Sequence, residues 1–159
     1  MNPTQDEIRH WPLGPEQRML PDDGATHFVT ARADVRIEPQ RLERALAAVA
    51  ERHQSLRFAY RTLAGYRGLR QLEQDGAPVT VTTADATLAT ASLAELLAVA
   101  RKTLPDTGAG QTIVATIIHT GESSSVIALN VAALAADQAS LPLLWRDLGL
   151  AYDGKPDEE

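Results

Sequence analysis

The spacing of apolar positions changes along the chain, and each change predicts an element. From residue 29 to residue 37 apolar and polar residues alternate, which is typical of a half-buried strand. After "EPQ" the spacing becomes helical, and one face of the predicted helix carries Leu42, Ala45, Leu46, Val49 and His53. Residues 92 to 104 predict a second helix, which opens with a capping box of Ser92 and Glu95. Its predicted apolar stripe consists of Leu93, Leu96, Leu97, Ala100 and Leu104.

The remaining patterns predict strands and one more helix. "LRFAYRTL", "YRGLRQLEQ" and "PVTVTTA" indicate short strands, the first two joined through Gly65. "TIVATIIHT" and "SSVIALNVA" are almost continuously apolar, which favours central strands of a covered sheet. A last helix is predicted from Ser140 to Tyr152. The order predicts an α/β two-layer sandwich, with a mixed, mostly antiparallel sheet and helices packed on one face. Residues 1–152 form one predicted domain, and residues 153–159 a charged tail or linker.

Composition narrows the classes of function. The chain has 159 residues, 44% of them hydrophobic, a formal net charge of −6 and no cysteine. The acidic balance argues against nucleic acid and against an anionic membrane surface as partners. Without cysteine there is no disulfide, no thiol catalysis and no cysteine-based zinc site. No apolar run reaches the roughly 20 residues of a membrane span. We therefore expect a cytoplasmic protein with no cofactor.

The residue types that carry chemistry do not form a convincing site. The four histidines lack metal-ligand spacing, so we expect structural roles for His10, His27, His53 and His119. A triad of Ser140, Asp137 and His119 has nothing to orient it, and an N-cap role suits Ser140 better. Trp11 and Trp145 are candidate interface anchors, with packing as the alternative.

Three stretches in order carry a resemblance to a known family. "PLGPEQRML" (12–20) is similar to the opening motif of the condensation domains of nonribosomal peptide synthetases. "RHQSLRFAY" (52–60) resembles their second motif, RHxxLRTxF, and matches it at Arg52, His53, Leu56 and Arg57. "AALAADQASLPLLWRDLGLAY" lies where the family has HHxxxDG followed by a leucine-rich helix. The resemblance implies the N-terminal lobe of a chloramphenicol-acetyltransferase-like fold.

The third motif departs from the family at the residues that matter for catalysis. Ala132 and Ala133 occupy the two histidine positions, and Gln138 replaces the glycine, so only Asp137 survives. The family's second histidine is assigned to the amine that attacks a carrier-bound thioester, and a general base needs a titratable atom that alanine lacks. The family also has a second lobe, with the active site between the two. The resemblance therefore implies a chain that is not an enzyme.

The resemblance further implies a structural role for the surviving aspartate and a role in protein interaction. In the family this aspartate pairs with an arginine of the second motif, so Arg57 is the expected partner of Asp137 and Arg52 its rival. We expect an exposed apolar face that includes Trp11, Ala132, Ala133 and Leu134. This face would dock on an adenylation domain, a carrier protein or a tailoring enzyme. Two alternatives stay open: an acyltransferase completed by a second lobe in trans, and a homodimer that binds an acyl or peptidyl ligand.

Overall fold

A computed structural model describes residues 9–20, 24–88 and 90–155. The strands are β1 (His10–Pro12), β2 (Thr26–Ala33), β3 (Phe58–Thr62), β4 (Leu69–Glu73), β5 (Thr80–Asp85), β6 (Ile113–Gly121) and β7 (Ser124–Ala132). The α-helices are α1 (Pro15–Arg18), α2 (Pro39–Arg52), α3 (Leu93–Arg101) and α4 (Leu141–Asp153). Short 3-10 helices cover Gln54–Arg57, Thr107–Ala109 and Gln138–Ser140. The predicted fold class, an α/β arrangement with a mixed sheet, is confirmed.

The main sheet has four strands in the order β2-β7-β6-β5. β7 pairs antiparallel with both of its neighbours, and β5 pairs parallel with β6. Helices α2 and α4 pack on one face, where Leu46 and Leu148 join Ile117 and Leu129 in the largest core cluster. Helix α3 lies against the other face, where the Asn130 side chain donates to the Ala100 carbonyl at 2.7 Å. Because β6 and β7 are covered on both faces, most residues along them are apolar.

The second sheet has three antiparallel strands in the order β1-β4-β3. The sequence pattern predicts no strand at residues 10–12, yet Trp11 pairs with Gln71 of β4. A small cluster of buried residues, Leu13, Tyr60 and Leu134, lies between this sheet and the loop after β7. The second sheet therefore positions that loop.

The structure corrects several predicted bounds. Strand β2 ends at Ala33 rather than at residue 37, and Val35 beyond it is 50% exposed. Helix α3 ends at Arg101, so Leu104 is no part of its apolar stripe and is 54% exposed. The capping box of Ser92 and Glu95 is confirmed by reciprocal hydrogen bonds of 2.7 and 3.2 Å.

Helix α4 continues one residue beyond its predicted end. It runs to Asp153, and Gly154, with φ of 69°, terminates it in the left-handed conformation that glycine favours. The predicted tail of residues 153–159 thus begins with a helical residue, and residues 156–159 lie outside the described part of the chain. Among the described residues, no helix combines the length and the apolarity needed to cross a membrane.

Candidate functional site

The loop after β7, residues 132–140, is the place where the third motif would put an active site. The backbone N–H of Ala132 donates to the Thr112 carbonyl at 2.8 Å, and that of Ala133 donates to the Ala25 carbonyl at 2.8 Å. The Ala132 carbonyl then accepts from Ala135 at 3.0 Å. The first two bonds attach residues 132 and 133 to neighbouring segments, and the third closes a tight turn directly after them.

The turn corrects the expected exposed apolar face. Ala132 is 1% exposed and Leu134 is 3% exposed, because the turn directs both side chains into core clusters. Ala133 is half-buried. Trp11 is 40% exposed and makes an edge-to-face contact with Phe58, at 5.7 Å between ring centroids. Of the four interface candidates, only Ala133 and Trp11 reach the surface of the chain.

The Leu134 carbonyl joins all three motifs. The Gln17 side chain, from the first motif, donates to this oxygen at 2.6 Å. The Tyr60 hydroxyl, from the second motif, donates to it at 3.1 Å. Burial raises the pKa of Tyr60, which keeps the hydroxyl protonated and available as a donor. Tyrosine in place of the family's phenylalanine therefore supplies a bond that fixes the degenerate loop.

Asp137 serves as a cap rather than as an ion-pair partner. Its carboxylate accepts from the backbone N–H of Ser140 at 2.8 Å and from the Ser140 hydroxyl. These bonds, together with the nearby charge of His27, hold the pKa of Asp137 below its usual value. Ser140 occupies the predicted N-cap position of α4, but its side chain makes no capping hydrogen bond there. Asp137 caps the short helix that precedes α4.

The expected pair of Asp137 and Arg57 is also corrected. Within residues 9–20, 24–88 and 90–155, no ion pair joins these two side chains. The physical reason is their placement: Asp137 is exposed, whereas the Arg57 Nε is buried and makes no hydrogen bond there. Gln138 is exposed and begins the short helix that Asp137 caps.

A cavity of about 380 Å³ opens beside the loop. Residues 133–136 line it, together with Gln17, His27 and Ser55. Ala133, at the position of the family's second histidine, lines this space. The sequence analysis assigned His27 only a structural role and missed its position at this cavity. The residues of β2 do not indicate which loop lies beside the strand.

A buried carboxylate that the sequence analysis missed joins the two helices of the main core. Asp147 of α4 is 3% exposed, and His53 Nε2 lies 2.7 Å from its Oδ2. Arg146 Nη2 donates to Oδ1 at 3.0 Å, and Arg52 Nε lies 3.9 Å away. Burial raises the pKa of Asp147, but the hydrogen bonds and the arginine charges outweigh it and lower the pKa overall. The first two residues of the second motif thus bind Asp147, not Asp137.

The other candidate residues do not converge on the loop. His119 is buried, with Nδ1 at 3.1 Å from Ser125 Oγ, so it does not join Ser140 and Asp137 in a triad. Trp145 is half-buried and packs against the main core. In the described segments, no group of three histidine or acidic residues is arranged to hold a metal ion.

Comparisons with known proteins identify the fold. No family model and no curated protein matches the sequence. The condensation domain of the monacolin K polyketide synthase MokA aligns over 95% of this chain and 36% of its own, with a TM-score of 0.77 and 17% identity. The epimerization domain of tyrocidine synthetase B, TycB3(E), aligns over 92% and 34%, with a TM-score of 0.77 and 17% identity.

The X-domain from teicoplanin biosynthesis, in a complex with OxyB, is more similar in sequence. It aligns over 87% of this chain and 31% of its own, with a TM-score of 0.67 and 27% identity. The chain thus spans about a third of the length of the solved chains that it matches. It has the chloramphenicol-acetyltransferase-like fold of condensation-type domains, and the resemblance inferred from the three motifs is confirmed.

Proposed function

We propose that this chain is a non-catalytic condensation-like lobe that docks on another protein of nonribosomal peptide biosynthesis. The observation that carries the proposal is Ala133 at the cavity wall. A general base must bring a titratable atom within hydrogen-bond reach of the proton it removes, and a methyl group has none. Ala132 is buried in the core and does not line the cavity, so the first histidine position supplies no base there either.

The polar groups of the loop support the same conclusion, because they are engaged in holding the fold. The Asp137 carboxylate binds Ser140, and the Leu134 carbonyl accepts from both Gln17 and Tyr60. These hydrogen bonds tie the loop to the rest of the lobe, so its polar groups have a structural role that needs no catalysis.

The partner is inferred from the X-domain. That domain was solved as a complex with OxyB, and it aligns with 87% of this chain. By analogy, this chain docks on a separate protein of its own pathway. The candidates are a tailoring enzyme, an adenylation domain and a carrier protein.

The test combines a binding assay with an activity assay. Each candidate partner is titrated into the chain by isothermal calorimetry, and the mass of any complex is measured by light scattering. We expect one partner to bind, and we expect no consumption of a carrier-bound thioester by the complex. Acyl transfer by the wild-type chain would refute the non-catalytic assignment. A stable homodimer without any partner would refute the docking role.

His27 favours a second candidate function, an acyltransferase completed by a second lobe in trans. This imidazole lines the same cavity as Ala133 and lies near enough to Asp137 to lower the pKa of that carboxyl. In this reading His27 would replace the missing base. Thioester turnover with an added second lobe, lost in His27→Gln and retained in Arg44→Gln, would establish it.

A further inference from the structure

The β3–β4 hairpin, residues 58–73, differs in charge from the rest of the chain. The whole chain has 15 lysines and arginines against 21 acidic residues. From residue 58 to residue 72, however, the hairpin contains Arg61, Arg67 and Arg70 and no acidic residue. A basic surface on an acidic protein is a local feature that the overall charge does not explain.

Two of these arginines face each other across the strands. Arg61 of β3 is the direct antiparallel partner of Arg70 of β4, so both side chains leave the same face of the sheet. Residues in this relation have Cβ atoms about 5 Å apart, and like charges placed there destabilise the strand pair. The arrangement therefore has a cost to the fold, which a bound anion would offset.

Arg70 is held in a defined orientation. Its guanidinium lies over the Tyr66 ring, with Cζ at 4.6 Å from the ring centroid. Its Nε donates to His10 Nδ1 at 3.1 Å, and His10 in turn meets Tyr66 edge-on at 4.8 Å. The ring contact and the Nε hydrogen bond thus hold the guanidinium in place. Little conformational entropy is therefore lost when its remaining N–H groups bind an acceptor. Tyr66 is 49% exposed, which gives the surface an aromatic contact.

Several arginines outside the hairpin have acidic partners. Arg36 lies 3.4 Å from Asp85, and Arg146 lies 3.0 Å from Asp147. In the described part of the chain, no carboxylate lies within ion-pair distance of Arg61, Arg67 or Arg70. The charge of the hairpin is therefore available to another molecule.

We propose that Arg61, Arg67 and Arg70, together with Tyr66, form a docking surface for an acidic segment of a partner protein. Guanidinium groups bind carboxylates in a two-pronged geometry, and a pair on one sheet face suits neighbouring carboxylates of such a segment. A nucleic acid fits less well, because it would extend beyond the hairpin along a chain of net charge −6, whereas a short acidic segment contacts the hairpin alone. The inference rests on the proposed function, for which it names the binding surface.

The experiment uses a fluorescein-labelled octaglutamate peptide as the probe and the full chain as the receptor. Fluorescence anisotropy should show saturable binding that weakens as salt is added. We expect Arg61→Gln/Arg70→Gln to weaken binding at least about tenfold, in line with the loss of charge-assisted hydrogen bonds. The matched control, Arg32→Gln/Arg44→Gln, removes the same charge from exposed sites outside the hairpin and should change the Kd less than about twofold.

A stability measurement separates a binding role from a structural role. Arg61→Gln removes the like-charge contact with Arg70, so its melting temperature should equal or exceed that of the wild type. A fall in melting temperature, or equal loss of peptide binding in both double variants, would overturn the proposal.

The other occupants are outcomes of the same test. Tighter binding of a fluorescein-labelled oligothymidylate than of the peptide at equal salt would overturn the protein assignment. Self-association that is lost in Arg61→Gln/Arg70→Gln would overturn it in favour of a second copy. If the partner found by calorimetry binds this double variant as tightly as the wild type, the hairpin surface is refuted while the docking function stands. If no partner is found, the docking function fails while the peptide titration still tests the surface.

Discussion

Asp137 and Asp147 differ in what draws attention to them: Asp137 matches a motif, whereas Asp147 is buried in the core. Asp137 is the surviving acid of the third motif, yet it is exposed and its hydrogen bonds reach only Ser140, three positions along the chain. Asp147 belongs to no recognised motif, yet it is 3% exposed and lies 2.7 Å from His53, the residue that follows the end of α2. The comparison teaches that a match to a motif does not by itself indicate a contribution to stability, whereas burial with distant partners does.

The largest expected effect is that of Asp147→Ala. This change leaves His53 and Arg146 without their acceptor and opens space between α2 and α4, so we expect a loss of about 3 kcal/mol in the free energy of unfolding. Urea denaturation followed by circular dichroism measures it. Asp137→Ala is the matched control and should lower the denaturation midpoint far less, because its carboxylate is exposed. If Asp137→Ala were the more damaging of the two, the comparison would be reversed.

The next effect concerns the two alanines of the same loop as Asp137. Ala132 is 1% exposed, so Ala132→His must displace packed neighbours and should cost about 2 kcal/mol. Ala133 is half-buried at the cavity, so Ala133→His should be tolerated with little change in melting temperature. Differential scanning fluorimetry of both variants measures the contrast. Equal melting temperatures would show that the core around residue 132 adapts to the larger side chain.

A smaller effect is expected from Tyr60→Phe. The substitution removes one buried hydrogen bond to the Leu134 carbonyl but keeps the ring, and this carbonyl retains its bond from Gln17. We expect a loss of about 1 kcal/mol. Equilibrium denaturation measures the loss, and Tyr66→Phe in the exposed loop serves as the control that should change nothing. A Tyr60→Phe variant as stable as the wild type would show that Gln17 alone fixes the loop.

The smallest effect appears only in acid. The pKa of Asp147 is lowered although burial opposes it, and hydrogen bonds from Ser140 lower the pKa of Asp137, both from an ordinary value of 3.8. A carboxyl with a lowered folded-state pKa contributes stability above its unfolded pKa and loses that contribution as the pH falls. Stability should therefore decrease below about pH 4. Urea midpoints near pH 6 and near pH 3 should show a weaker pH dependence in Asp147→Asn than in the wild type. An unchanged dependence would mean that other carboxyls dominate the acid transition.

Much of the fold could be predicted because its central strands have an unmistakable pattern. β7 has the predicted bounds, and α2 buries four of the five residues of its predicted apolar face, while His53 lies just beyond the end of the helix. Strand β1 could not be predicted, since a three-residue strand has no period of its own and is fixed by pairing with β4. The predicted apolar stripe of α3 is too long because the amphipathic spacing continues past Arg101, where the helix ends.

The site was predicted less well because its contacts depend on how a loop turns. The pairing of Asp137 with Arg57 needs a loop that brings the carboxylate inward, and the sequence does not show that this loop turns it outward to Ser140. Asp147 did leave a signal. It lies three residues after Leu144 and one before Leu148, on the buried face of α4, and a carboxylate in that position requires a partner across the interface.

The Leu134 carbonyl has a consequence for the order in which the chain is assembled. The residue that donates the shorter of its two hydrogen bonds, Gln17, precedes it by 117 positions, and Tyr60 precedes it by 74. During synthesis both donors emerge long before their acceptor exists. Helix α1 and the small sheet therefore lack their hydrogen bonds to the Leu134 carbonyl until residue 134 has been synthesised. Closure of this long loop is then a late step of folding, and variants that weaken it should prolong exposure of the early segment to chaperones and proteases.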